Sequence, residues 1–276
     1  MERTLYLNDS GSSISVMRDG PSLWIEEKGG AGRRIPVRFI DLVILVQNVK
    51  IDAQSLAVLS ENQVPVIIMD RSGQRKAYVL PYEEKIPFRY RDQKFILRNE
   101  RSEERYRKWA ETKRMIIGIS ALKRIGKDKL TRCEEIGEGN YSIIMKELIS
   151  SMGIEEEKYM IVKNTVCSLF HGIIAKKLLR AGFDIHLGVI NRRKNFGLIL
   201  DVSYIMDGEI DLQTLQFFKT DAKREIAFHH VFGRCELKPN VMRFIAHRFE
   251  NRKKTIGQMV DNIIDELCTL MREIKM

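Results

Sequence analysis

Hydrophobic and polar positions change rhythm once along the chain. Up to about Pro81 the apolar runs are short and strand-like: "RTLYLND" (3–9), "SISVM" (13–17), "SLWIEE" (22–27) and "LVILV" (42–46), separated by the turn signals "NDSGSS" and "RDGPS". "AQSLAVLSENQ" (53–63) breaks this pattern, with Leu56, Ala57 and Leu59 on one side of a helix. "VPVIIMD" (64–70) and "QRKAYVL" (74–80) return to strand texture around the turn "DRSG". From Lys94 onward the period becomes helical, most clearly in "FILRNERSEERYRKWAETKRMIIGISALKRI", "SIIMKELISSM", "EKYMIVKNTVCSLFHGIIAKKLLRAG" and "IGQMVDNIIDELCTLMREI". Gly182, after Arg180 and Ala181, has the position of a helix C-terminal cap. The pattern predicts an α+β chain of two domains: a β-sandwich-like domain with one helix over 1–82, a linker over 83–93, and an all-α domain over 94–276.

Charge sharpens this division. The 276 residues carry a net charge of +10, with 44% hydrophobic and 30% charged residues. Residues 1–82 hold ten Lys/Arg against nine Asp/Glu, so nearly all of the excess lies in the helical part. A basic surface there points to a polyanionic partner; a Lys/Glu-rich solvated exterior is the alternative. Cys133, Cys167, Cys235 and Cys268 form no CxxC pair, which argues against structural zinc and for reduced thiols. No apolar run reaches the ~18–20 residues that span a bilayer, and "MERTLYLND" lacks a signal pattern. A soluble cytoplasmic protein with no membrane partner is expected.

Several groups are candidates for chemistry. "NRRKN" places Arg192, Arg193 and Lys194 in a tight turn between apolar runs, suited to phosphate contact without base reading. Lys176, Lys177 and Arg180 extend that surface, and Lys123 and Arg124 open a second basic stretch, "LKRIGKDKLTR". The Arg and Lys residues over 95–125 alternate with Glu and read as a solvated helix. Among the histidines, His229 and His230 are adjacent and make no i,i+4 pair. His171 sits in an apolar helix pattern, and His186 shortly precedes the basic turn. Glu138, between two glycines at a helix start, reads as a cap or as a hard-metal ligand.

The order of "RTLYLND", "RRIPVRFIDLVILVQNVKIDAQSLAVLSENQVPVIIMDRSG" and "AYVLP", followed by "GEGNY", "VKNTVCSLFHGIIAKKLLRAGFDIHLGVIN" and "LILDVSY", resembles the CRISPR-associated integrase family. That family comprises metal-dependent DNA endonucleases/integrases that insert spacers during CRISPR adaptation. The resemblance spans most of the chain. It implies a homodimer made through the β domains, a small ferredoxin-like partner protein, and a Glu, a His and an acidic residue that bind Mg²⁺ or Mn²⁺. The family's Glu falls on Glu138. Its His, ending a segment like "GLDPxLGFLH", falls on Asn191. In the family's "DLMEEFRP" pattern the Asp falls on Asp201 and the acidic ligand on Tyr204, while Arg-Pro becomes Asp207-Gly208.

Two of the three ligands are therefore replaced. An amide oxygen at Asn191 is a weak ligand and a phenol, with a pKa of about 10, a poor one at neutral pH. The expectation is a DNA-binding member of the family with impaired or absent catalysis, acting as a scaffold beside an active paralogue. The alternative is a fully active enzyme that uses Glu138, Asn191 and Asp201, or Asp207 or Glu209 in a shifted register. An unrelated basic nucleic-acid-binding protein is a third reading.

Overall fold

A computed structural model describes residues 3–8, 13–81, 85–125, 138–220, 227–231 and 233–275, with the backbone alone at 138–140 and 220. The N-terminal part contains β1 (Arg3–Asn8), β2 (Ile14–Asp19), β3 (Ser22–Glu27), β4 (Arg33–Pro36), β5 (Ile40–Val46), β6 (Lys50–Ile51), α1 (Ala53–Glu61), β7 (Val66–Met69) and β8 (Arg75–Val79). One four-stranded sheet has the order β1-β5-β7-β8 and the other β4-β3-β2-β6. In the first sheet β1 and β7 lie parallel to β5, with Leu5 opposite Val43 and Val43 opposite Val66, and β8 runs antiparallel to β7. Asp52 caps α1 by accepting the Ser55 N–H at 2.5 Å, as an N-cap carboxylate does.

The run "IDLVILV" explains how the two halves join. Strands alternate faces, so Val43 and Leu45 enter the core between the two sheets, with Leu5, Leu7, Val16 and Leu23. Leu42, Ile44 and Val46 enter the helical core, with Ile67 and Met69 of β7. A strand buried on both faces reads as a continuous apolar run, and β5 is the strand that does so. Gly172 of the facing helix leaves room for Leu42, whose side chain would collide with a Cβ there.

The helical part contains α2 (Tyr90–Arg98), α3 (Glu100–Ile125), α4 (Glu138–Ser151), α5 (Glu156–Arg180), α6 (Gly197–Ile205), α7 (Asp207–Thr220) and α8 (Pro239–Lys275). The helix α2 begins inside the stretch expected to be a linker. Two strands, β9 (Phe228–Val231) and β10 (Arg234–Leu237), form an antiparallel hairpin within the region expected to be all helix. "FHHV" and "RCEL" are too short and too polar for the alternation to stand out. Gly233, at φ 77°, makes the turn between them. No described helix is long and apolar enough to cross a membrane, and Cys167, Cys235 and Cys268 are free thiols.

Candidate functional site

Helix α5 ends with Gly182 at φ 73°, where its N–H reaches Leu179 O at 2.9 Å and Phe183 N reaches Leu178 O at 3.0 Å. This left-handed cap favours glycine. The chain then folds back so that the backbones of Gly188 and Gly197 touch, and a Cβ at either would strike the other strand of the loop. Leu198 N donates to Ile185 O at 3.0 Å, which closes the loop at its base. Phe196, at φ 60°, opens α6 and its ring packs at a tilt against both Tyr78 and His186.

Asp201, on α6, is fully buried beneath this loop. Its Oδ2 accepts Val189 N at 2.6 Å, Ile190 N at 3.1 Å and the Tyr106 hydroxyl at 3.2 Å. Its Oδ1 accepts Asn191 N at 2.8 Å and Asn191 Nδ2 at 3.0 Å. Three successive backbone N–H groups thus converge on one carboxylate, an anion nest built from the chain itself. Arg107 reinforces the loop by donating to Val189 O at 3.1 Å. Asn191 is thereby fixed, and Arg192, Arg193, Lys194 and Asn195 project from the end of the loop as exposed side chains. Arg192 pairs with Glu103 of α3, whereas Arg193 and Lys194 make no ion pair among the described residues.

Tyr204 lies one helical turn beyond Asp201. The Arg114 guanidinium stands 4.3 Å above its ring, donates to its hydroxyl at 3.3 Å, and donates to Asp207 Oδ2 at 3.1 Å. Lys163 bridges Asp207 Oδ1 at 2.9 Å and Asp211 Oδ1 at 2.7 Å. Asp211 also accepts the hydroxyls of Tyr141, at 2.9 Å, and Tyr159, at 2.6 Å. Burial raises the pKa of Asp211, the Asp207 charge adds to this, and Lys163 opposes it. Burial alone would lower the Lys163 ammonium, but Asp211 and Asp207 hold it above its ordinary value. Two carboxylates therefore face two fixed cations. Glu209 is likewise enclosed by Arg124 at 2.7 Å, Arg252 at 3.3 Å and Gln213 at 2.8 Å.

This donor set does not fit a hard divalent cation. Such an ion takes several free carboxylate oxygens, and both oxygens of Asp201 already receive N–H or O–H donors. Tyr204 lies under a guanidinium, and Asp207 and Glu209 are each held by two basic side chains. Among the described residues no three His, Cys, Asp or Glu groups converge as a metal site. Glu138 opens α4, but its side chain lies outside the described residues.

The remaining expected phosphate contacts are scattered. Lys176 is buried and pairs with Asp41 of β5, where Lys253 of α8 also reaches Asp41 at 2.8 Å; its ammonium faces the seam between the two parts, not the surface. Lys177 pairs with Asp261 at 2.6 Å. Arg180 and Lys123 are exposed, and Arg124 is bound to Glu209. His171 is a buried interface residue, as its apolar setting implied, with Tyr78 OH at 2.8 Å and Cys167 Sγ at 3.4 Å.

The sequence profile of the CRISPR associated protein Cas1 family matches residues 5–149, just over half of the chain. The chain belongs to the Cas1 family. No curated protein sequence matches it significantly. Among solved structures it is similar to the Cas1 protein TM1797 from Thermotoga maritima, with a TM-score of 0.78 at 19% identity over 98% of this chain and 96% of that one. A casposase bound to integration product gives a TM-score of 0.74 at 17% identity, covering 98% and 91% of the two chains. A Cas6-RT-Cas1–Cas2 complex gives 0.77 at 14% identity over 99% of this chain and 35% of that one. These likenesses establish a fold shared with Cas1 proteins, β-rich at the N-terminus and helical beyond it.

Residues without a sequence motif complete this candidate site. Arg114 was indistinguishable from its neighbours on a charged helix, and Lys163, Tyr159 and Tyr141 carried no motif. The i,i+4 pairs Asp207/Asp211 and Tyr159/Lys163 were the available signal, since each puts two polar groups on one helix face.

Proposed function

We propose that this Cas1 protein binds DNA in CRISPR adaptation as a scaffold subunit whose own catalytic centre is impaired or lost. The observation that carries this reading is the Arg114–Tyr204–Asp207–Lys163–Asp211 cluster, in which protein cations already neutralise the carboxylates beside the family's ligand position. Mg²⁺ or Mn²⁺ is not held by Asn191, Asp201 and Tyr204 in this arrangement, and no step is assigned to Glu138.

The DNA surface centres on the exposed turn Arg192–Lys194, fixed from below by Asp201, with Arg180 and Lys123 as outlying phosphate contacts. Likeness to a casposase bound to integration product supports a DNA ligand. Likeness to a Cas6-RT-Cas1–Cas2 complex supports a Cas2-type partner; on this reading that partner is small and ferredoxin-like, this chain meets it as a homodimer, and an active paralogue supplies the chemistry.

The test uses branched DNA with a free 3′-hydroxyl, in Mg²⁺ and in Mn²⁺. The wild-type protein is expected to bind it and neither cut nor join it. Replacing Arg192, Arg193 and Lys194 by Ala should weaken binding and lower the salt slope by roughly 2–3, at ~0.9 per lost duplex-phosphate contact. Unchanged binding would place the DNA path elsewhere. Asn191→His/Tyr204→Asp should stay silent until Arg114→Ala is added, because Arg114 would capture the new carboxylate. Metal-dependent joining by the wild type that vanishes in Glu138→Ala would refute the scaffold reading.

A further inference from the structure

Helix α5 carries a thiol that neither the basic turn nor the Arg114–Asp211 cluster uses. Cys167 and His171 lie four residues apart on one face of the helix, with His171 Nε2 3.4 Å from Cys167 Sγ. The other ring nitrogen, Nδ1, stands 2.8 Å from the Tyr78 hydroxyl of β8. From α6, Ser203 brings its Oγ to 3.6 Å from the sulfur. Arg75, also on β8, places its guanidinium 3.5 Å from Ser168 Oγ, on the next residue of α5. Three elements thus converge on one sulfur, and the β-domain supplies two of the side chains.

Each group has a chemical use. With the thiol proton on His171, both ring nitrogens donate, Nε2 to the thiolate and Nδ1 to the Tyr78 oxygen. Tyr78 then fixes the ring as the orienting third member of a nucleophile–base arrangement does. Burial opposes ionisation of the sulfur, but the charge and hydrogen bond of His171, the Arg75 charge and the Ser203 hydrogen bond outweigh it. Cys235 and Cys268 have the reverse balance, and burial raises both. Cys167 is half-buried, whereas Ser168, His171 and Ser203 around it are buried. A reactive thiol sits in such an electropositive, partly open setting, and the close neighbours favour a small uncharged reagent.

We propose that Cys167 is a site of oxidation by hydrogen peroxide, with His171 as the proton donor to the leaving oxygen. The thiol proton passes first to His171 Nε2. The thiolate then attacks one peroxide oxygen, so that an S–O bond forms and the O–O bond breaks. The electron pair of that bond leaves on the second oxygen, which takes the proton from His171 and departs as water. Sulfur loses two electrons to the peroxide and becomes a sulfenic acid, which thiols reduce again. The site shares no residue with the Arg192–Lys194 turn or the Arg114–Asp211 cluster, so it stands or falls apart from the scaffold reading.

The experiment treats the purified, reduced protein with hydrogen peroxide near neutral pH and quenches it into urea containing dimedone. The sulfenic-acid trap then needs no access to the folded site, and peptide mass spectrometry reads the label at each cysteine. At about pH 7 a thiol of pKa about 6 is ionised roughly 90-fold more than one at 9.0, and the lower nucleophilicity of the weaker base offsets ~15–30-fold of that. Label at Cys167 should therefore grow at least about threefold faster than at Cys235 or Cys268. Its rate should be half-maximal near pH 6, and in His171→Phe that midpoint should rise and the neutral-pH rate fall severalfold. Tyr78→Phe keeps the ring that packs on Phe196 but releases His171 Nδ1, and should slow the reaction less. Label growing no faster at Cys167 than at Cys235 and Cys268 would overturn the proposal, and this comparison needs no variant. So would a His171→Phe protein, folded by circular dichroism, that reacts at the wild-type rate.

Discussion

Replacing Asp201 by Asn separates an anchor from a metal ligand. The carboxylate receives three backbone N–H groups, one side-chain amide and one phenol, all beneath a loop whose tip carries Arg192–Lys194. In the Asp201→Asn variant one oxygen becomes an NH₂ group that faces donors. If the remaining oxygen takes the three-donor side, Asn191 N and Asn191 Nδ2 lose their acceptor. Half-buried Asn191 can turn its amide toward water, so one or two donors stay unpaired, and the charge that strengthened every bond is gone. At ~1–3 kcal/mol per unpaired buried group, the loss is about 2–4 kcal/mol, or on the order of 5–10 °C in thermal midpoint. Urea denaturation and scanning calorimetry, without added metal, measure it. DNA affinity should fall as well, because the basic turn loses its base, although no residue of the turn has changed. A variant as stable as wild type in metal-free buffer would refute the anchor, and a stability loss that appears only with Mg²⁺ or Mn²⁺ present would make Asp201 a ligand.

Two further predictions concern groups inside the protein. Lys176→Met should cost about 2–4 kcal/mol, because Asp41 keeps only Lys253 as a partner in a buried site, with DNA affinity unchanged; loss of affinity at full stability would instead put Lys176 on the DNA surface. Cys167 is the other case. Burial would raise its thiol, but the His171 ring beside it, with Arg75 and Ser203, lowers it to about 6 from an ordinary 9.0. Because the folded value lies below the unfolded one, the thiolate's contribution to stability is complete above pH 9 and is lost as pH falls through about 6. Thiolate ultraviolet absorbance should titrate with a midpoint near 6 and shift upward in His171→Phe; a wild-type midpoint at or above the ordinary 9.0 would contradict the pairing.

What the sequence disclosed followed from periodicity. Strands β1, β2, β3, β5, β7 and β8 and helix α1 lie where alternation or helical spacing put them, although α1 buries Ser55, Val58 and Leu59 and exposes Ala57, which the expected face of Leu56, Ala57 and Leu59 had included. Strand β4 did not show: "RRIP" has two arginines and a proline, and becomes a strand only because β3 offers an edge, with Trp24 opposite Arg34. The site divides in the same way. The exposed basic turn was legible because Arg192–Lys194 are consecutive, whereas Asn191 and Tyr204 stand at the family's ligand positions by resemblance alone. The part played by Asp201 was hidden, since a helical carboxylate looks the same whether it faces a metal or three backbone N–H groups. Arg114 and Lys163 were hidden because their partners come from other helices, and only packing brings the charges together.

Strand β5 has a consequence for assembly. Its alternate residues belong to different cores, so a slip of one residue against β1 or β7 would turn Leu42, Ile44 and Val46 into the sandwich and Val43 and Leu45 out toward the helices. Two cores would be miscast by one error. Seating Gly172 over Leu42 requires this register, so alignment of the sheet and docking of α5 are coupled steps. A chain halted between those steps would expose the apolar outer face of β5 and β7, and that interval is when it is most vulnerable to aggregation.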